Sequence, residues 1–232
     1  HINCLSTIEL GPMASFSSNQ ATFLSSHQSS EGEREPYNHW NLDNVLDDDV
    51  IEGILALPID IPRVDYDEGQ RASNNDVRGY FDTGRREEFD ICSVVSETFQ
   101  SAETINALED KCGIDLTGSY LRLEYAQDHD GFWLESHKDI SVKLFSMLIY
   151  LNPSPDDEEW GTDIFTGPEL SDYYGTASHA ANRAFIFIPG ANSWHGFRPN
   201  KITGVRRSLI VNFVTDEWMN RHELAYPDQP VG

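Results

Sequence analysis

Apolar residues recur along this chain with two periods, and the period changes once. Up to about residue 113 the repeat is helical. Asp47 can cap a helix whose apolar positions are Val50, Ile51, Ile54 and Leu55, with Pro58 and Pro62 beyond its end. A helix over 89–99 carries Ile91, Val94, Val95 and Phe99. Another over 102–112 carries Ile105 and Leu108 and stops at Gly113, a good residue for the left-handed position after a helix. From residue 117 the period shortens to two. Leu121, Leu123 and Tyr125 fall on one face of a strand, and Arg122 and Glu124 fall on the other. Further strands are predicted over 142–151, 163–165, 183–188, 194–197 and 206–214, separated by Asn152-Pro153, Pro189-Gly190, Arg198-Pro199 and Gly204. Earlier strands are predicted over 37–42 and 77–81. Helices followed by many short strands predict a mainly β fold with flanking helices, as a double-sheet jelly roll or small barrel.

The ends and the middle read differently. Gly11-Pro12-Met13 resembles the scar of a cleaved tag joined to a native Met, so residues 1–12 are set aside. Residues 13–35, rich in Ser, Gln, Asn and Glu, read as a mobile arm. The expected organisation is therefore an N-terminal arm over 1–35 and a single domain over 36–232. The polar stretch 59–90 is a candidate lid.

Composition narrows the partners. The 232 residues include 39 acidic and 16 basic side chains, a formal net charge of −23. Such a surface repels phosphate backbones, so a nucleic-acid partner is disfavoured. Three scattered cysteines, Cys4, Cys92 and Cys112, form neither a disulfide framework nor a thiolate zinc site, which fits a reducing, cytoplasmic setting. No apolar run approaches the roughly 20 residues that a bilayer requires. Oligomeric state is not legible.

The strand region holds the candidate chemistry. His137-Lys138-Asp139 is the chain's one His-x-Asp. On a strand, residues i and i+2 share a face, so both side chains can reach one metal. Alone the motif says little, because 8 His and 21 Asp give roughly 0.7 such tripeptides by chance. A later strand supplies His195 in Ser193-Trp194-His195-Gly196. Two imidazoles and one carboxylate on one face of a metal leave positions open, the arrangement suited to non-haem iron(II) and oxygen. His1, His27, His39, His129, His179 and His222 are weaker ligand candidates by position. Eleven residues after His195 comes Arg206, followed by Arg207-Ser208. On a strand Arg206 and Ser208 share a face, forming a carboxylate clamp, while Arg207 points to the surface. A dicarboxylic cosubstrate could chelate the metal at one end and meet Arg206 at the other.

His137-x-Asp139, His195 and Arg206-x-Ser208 together resemble the motif of the iron(II)/2-oxoglutarate-dependent dioxygenases, over about residues 120–214. The segment 144–152, followed by 161–165, is most similar to the prolyl-hydroxylase-like branch. The resemblance implies a double-stranded β-helix with His137, Asp139 and His195 as iron ligands. It implies that Arg206 and Ser208 hold the distal carboxylate of 2-oxoglutarate, with Tyr125 and Tyr150 at positions that contact the cosubstrate. It also implies oxygen as co-reactant, ascorbate as a candidate reductant, and hydroxylation of a C–H bond with release of succinate and carbon dioxide. Arg207 departs from the aromatic residue that the branch often carries there, and the loop 153–160 is short and acidic. The retained Asp139 argues against the halogenase branch. Trp133 and Trp194 are candidate substrate contacts, with Trp160, Tyr173 and Tyr174 as further rim aromatics. A small-molecule or peptidyl substrate is expected. A cupin-like metalloenzyme without 2-oxoglutarate and a non-catalytic binding module on the same fold remain as alternatives.

Overall fold

The structure, a computed structural model, describes residues 14–63 and 78–232. Among the described residues, eleven strands form two antiparallel sheets, and five helices pack mainly on the outer face of the larger one. The larger sheet contains β1 (Gly32–Glu33), β2 (His39–Asp43), β3 (Gly79–Tyr80), β4 (Tyr120–Asp128), β6 (Lys143–Tyr150), β9 (Arg183–Phe187) and β11 (Arg206–Val214), in the order β1-β2-β9-β6-β11-β4-β3. The smaller contains β5 (Leu134–His137), β7 (Asp163–Phe165), β8 (Tyr173–Thr176) and β10 (His195–Phe197), in the order β5-β10-β7-β8. This is the expected mainly β, double-stranded β-helix architecture.

The period-two alternation divides the larger sheet into two environments. Leu121, Leu123 and Tyr125 of β4, Phe145, Met147 and Ile149 of β6, and Leu209, Val211 and Phe213 of β11 join the main apolar core on the helix side. Burying these side chains supplies most of the driving force, at about 25 cal/mol per Å² of apolar surface. The intervening residues face the smaller sheet and include Arg122, Glu124, Asp128, Ser146, Arg206, Ser208 and Asn212, all buried. Both faces are thus withdrawn from water, one apolar and one polar.

The helices α2 (Asp48–Leu55), α4 (Asp90–Gln100) and α5 (Ala102–Cys112) match the helical periodicities. Gly113 ends α5 at φ 65°, where a side chain would be strained. Two helices were not expected. The first is α3 (Thr83–Glu88), capped by Asp82, whose carboxylate accepts from the Arg85 N–H. The second corrects the arm. Residues 16–29 form α1 (Phe16–Ser29), packed on α4 and α5, with Ser15 as its N-cap. Apolar periodicity fails here because buried polar residues do the joining. Asn19 donates to Thr98 Oγ1 at 3.0 Å, and His27 Nε2 lies 3.0 Å from the Ala107 carbonyl. Phe23 fills the apolar contact and is fully buried. Residues 1–13 and 64–77 lie outside the described residues, so the arm before residue 14 and the centre of the 59–90 candidate lid do too. The chain around His222 forms a short 3-10 turn, Arg221–Glu223.

Candidate metal centre

Three side chains converge between the sheets. β5 ends at His137, which pairs directly with His195 at the start of β10. The ring centres are 4.4 Å apart, and His195 Nε2 lies 3.9 Å from Asp139 Oδ1. The ligand atoms of His137, Asp139 and His195 all fall within 4.8 Å of one another, the one such metal-ligand group among the described residues. Asp139 differs from expectation in one respect. The strand stops at His137, and Asp139 arrives from the loop beyond it rather than from the same strand face.

Neighbouring groups fix all three ligands. His137 Nδ1 lies 2.8 Å from the Glu135 carbonyl and His195 Nδ1 lies 2.9 Å from the Ser193 carbonyl. With each Nδ1 donating to its carbonyl, each Nε2 keeps its lone pair for a cation. Burial, followed by the nearby His137, pushes the His195 pKa down to about 3, against the pull of Asp139, so the ring is neutral at pH 7. Asp139 accepts from Ser146 Oγ at 2.7 Å and from Lys143 Nζ at 3.0 Å, and Asn212 Nδ2 donates to Ser146 Oγ at 2.9 Å. Gly196 permits the approach of the two strands, since a Cβ there would lie 2.8 Å from the Leu134 carbonyl oxygen and 2.9 Å from that of Glu135.

Arg206 and Ser208 line the same cavity as the three ligands, together with Leu148, Thr162 and Phe187. Arg206 Nε donates to the Trp160 carbonyl at 2.8 Å, and Nη1 donates to Asp128 Oδ2 at 3.0 Å. These bonds use two of its five N–H donors. Ser208 Oγ is buried with no hydrogen-bond partner. Tyr150 of β6 is the cross-strand partner of Ser208 but lies outside the cavity lining, and its hydroxyl is 2.8 Å from Thr162 Oγ1.

The other expected contacts are not brought to the cavity. Tyr125 points into the helix-side core, because its parity on β4 is opposite to that of Glu124 and Ala126, which do line the cavity. Trp133 is partly buried outside the lining, and its neighbour Phe132 takes the lining position. The Trp194 ring packs under Lys138 Nζ at 4.8 Å rather than over the metal centre. Trp160 is a buried wall whose indole donates to Glu158, while Tyr173 and Tyr174 are exposed on the surface.

Sequence reasoning missed the polar floor of the cavity. Asp128 accepts from Arg206 and, at 2.7 Å, from Arg78 Nη1. Arg78 Nε lies 3.5 Å from Glu124, which accepts from Arg122 at 2.7 Å. Arg122 also donates to Asn212 at 3.1 Å, and through Ser146 this chain reaches Asp139. Charged residues at alternate positions of β4 were the available signal. On a strand covered on both faces they are obliged to pair inward.

Comparison with solved structures adds a fold-level result. A prolyl-4-hydroxylase from Pseudomonas putida aligns with a TM-score of 0.52 at 14% identity, over 88% of this chain and 93% of its own. A prolyl hydroxylase from Trichoplax adhaerens, solved with a hypoxia-inducible-factor peptide fragment, aligns at 0.56 and 14% identity, over 87% and 92%. A prolyl 4-hydroxylase from Phytophthora capsici aligns at 0.57 and 14% identity, over 91% and 69%. This chain has the fold of the prolyl hydroxylases. No family model and no curated protein sequence matches it. Among the described residues no helix is long and apolar enough to cross a membrane.

The donor set of this fold fits iron(II) and 2-oxoglutarate. Two imidazoles and a carboxylate suit iron(II). The unpartnered Ser208 hydroxyl and the remaining Arg206 donors suit a carboxylate.

Proposed function

We propose that this protein is an iron(II)- and 2-oxoglutarate-dependent dioxygenase that hydroxylates a C–H bond of a small-molecule or peptidyl substrate. The observation that carries the reading is the presence of the His137–Asp139–His195 group and the Arg206–Ser208 pair in one cavity. His137, Asp139 and His195 would hold the metal, and Arg206 with Ser208 would hold the distal carboxylate of the cosubstrate. When bound, iron and 2-oxoglutarate together supply the oxidising chemistry that consumes oxygen, cleaves the substrate C–H bond and leaves succinate and carbon dioxide.

The chain's own residues do the rest. Lys143 and Ser146 hold the Asp139 carboxylate in place, and the Glu135 and Ser193 carbonyls fix the imidazoles, so the ligand geometry is set before a metal arrives. Phe132, Leu134, Leu148, Phe187, Phe197 and Ile210 line the cavity, exclude water and leave an apolar surface against which a substrate C–H bond can lie. That lining, together with the peptide carried by the Trichoplax relative of the fold, supports a neutral peptidyl side chain or a small apolar molecule.

Anaerobic, metal-free protein titrated with iron(II) and then 2-oxoglutarate tests the reading. The expected result is a visible charge-transfer band that is absent in His137→Ala and needs more 2-oxoglutarate in Arg206→Ala. Iron binding with no band would transfer the assignment to a cupin-like metalloenzyme. No iron binding at all would leave a binding module on this fold.

A further inference from the structure

The helices lie mainly on the larger sheet, and the outer side of the smaller one carries a groove instead. On β7, Ile164 packs inward with Tyr150, Phe185 and Phe187, so its neighbour Asp163 turns outward. Asp157, Glu159, Asp163, Leu170, Tyr173 and Arg198 line the groove, which has a volume of about 710 Å³. It shares no lining residue with the metal cavity.

The walls of the groove are braced. The Arg198 backbone N–H and Nε both donate to Asp163 Oδ2, at 2.6 and 3.1 Å, and the guanidinium stacks on the Tyr173 ring at 3.6 Å. The Tyr173 hydroxyl lies 2.8 Å from Thr176 Oγ1, which donates to Asp163 Oδ1 at 2.6 Å. Leu170 opens a 3-10 turn that is held from both sides. The Glu169 N–H donates to Asp172 Oδ2 at 2.9 Å, and Ser136 Oγ donates to the Gly167 carbonyl at 2.6 Å. A fixed turn nevertheless leaves Leu170 66% exposed, with Tyr173 37% exposed in the same groove. Adjoining apolar side chains held out in water mark an interaction surface, whereas a single one does not.

Charge decides what fits there. Three carboxylates, of Asp157, Glu159 and Asp163, face one guanidinium, which leaves two negative charges unmatched. Arg198 is already engaged by Asp163 and reaches Glu159 only at 3.9 Å. Asp157 makes no ion pair among the described residues. A second copy of this chain would bring a net charge of −23 against the same sign, and a nucleic acid would be repelled likewise. A bare cation would gain nothing from Leu170 and Tyr173, and a purely apolar molecule would leave the carboxylates unmatched. One chain that carries both a cationic and an apolar side chain satisfies the whole groove.

We infer that this groove docks a basic polypeptide segment, with a lysine or arginine against Asp157 and Glu159 and an apolar side chain on Leu170 and Tyr173. The inference goes beyond the oxygenase reading and stands without it, because the two sites share no lining residue.

The test pans a random nine-residue peptide library, displayed on phage, against the full chain. The expected result is enrichment of peptides that place a lysine or arginine within two residues of a leucine or an aromatic residue. An enriched peptide is then synthesised and titrated calorimetrically into three proteins. These are wild type, the double variant Asp157→Asn/Glu159→Gln and Leu170→Ser, all changed at exposed positions that leave the fold intact. Each variant should bind about tenfold more weakly than wild type, and only the double variant should lose the salt dependence. No enrichment, or enrichment of acidic peptides, overturns the inference. Equal affinity in all three proteins also overturns it, because general attraction to an acidic surface would then explain the binding.

Discussion

Arg206 Nη1 donates to Asp128 Oδ2 at 3.0 Å, with the Arg206 side chain 5% and the Asp128 side chain 2% exposed. The guanidinium proposed as the carboxylate clamp thus already holds one carboxylate, and that carboxylate also holds Arg78 at 2.7 Å. Asp128 sets the direction of the Arg206 fork before any ligand arrives. Removing one partner of a buried ion pair leaves the other charge uncompensated, which costs more than the intact pair contributes. Asp128→Asn should therefore destabilise the protein by about 3 kcal/mol. Urea unfolding would show a lower midpoint at unchanged slope, and an unchanged midpoint would mean that water reaches the pair.

Ser146 never needs to touch a metal to matter to it. Its hydroxyl donates to Asp139 at 2.7 Å and accepts from Asn212 at 2.9 Å. Ser146→Ala should weaken iron(II) binding about 10- to 100-fold while leaving the fold intact, because the carboxylate loses the bond that fixes its rotamer. Competition against a coloured chelator measures this, and equal affinity in mutant and wild type would assign the positioning to Lys143 alone.

Gly196 spaces the metal centre. A methyl group there would meet the carbonyl oxygens of Leu134 and Glu135 at 2.8 and 2.9 Å. Gly196→Ala should push β10 away from β5 and carry His195 away from His137, lowering metal affinity by at least about tenfold, or about 1.4 kcal/mol. Calorimetric titration with iron(II) or a spectroscopically silent substitute reads it directly.

His179 makes stability depend on pH. Its pKa is pushed down to about 4 in the fold from a usual 6.5, by burial first and then by two guanidiniums. The unfolded chain takes up that proton first, so its contribution is complete above pH 6.5 and is lost as pH falls towards 4. The melting temperature of the metal-free protein should therefore fall across this window, and less steeply in His179→Leu. Equal slopes would mean that the ring is already charged in the fold.

Much of this was legible along the chain. The strands 163–165 and 206–214 were expected at the bounds they occupy, and the helix stop at Gly113 was expected where φ turns positive. The spacing of His137, Asp139, His195, Arg206 and Ser208 was enough to bring five residues to one cavity. What failed did so for physical reasons. Helix α1 is held by the polar residues Asn19 and His27 as well as by Phe23, so it carries no apolar stripe. Tyr125 was placed beside the cosubstrate although its own alternation with Glu124 had already turned it to the opposite face. Trp133 and Trp194 are near the ligands in sequence, but they lie in the loops before β5 and β10, and their neighbours Phe132, Leu134 and His195 take the lining positions.

The sequence by itself determined the fold class and the residues that converge at the candidate metal centre, because period-two alternation and residue spacing are local properties that survive without knowledge of partners. Only the tertiary structure decided which groups accompany them. Asp128 meets Arg78 across 50 residues and Arg206 across 78, and His179 packs on Tyr150. No period connects such positions. They are joined because two covered sheet faces leave every buried charge and donor to be satisfied from across the sheet, and that requirement acts through space rather than along the chain.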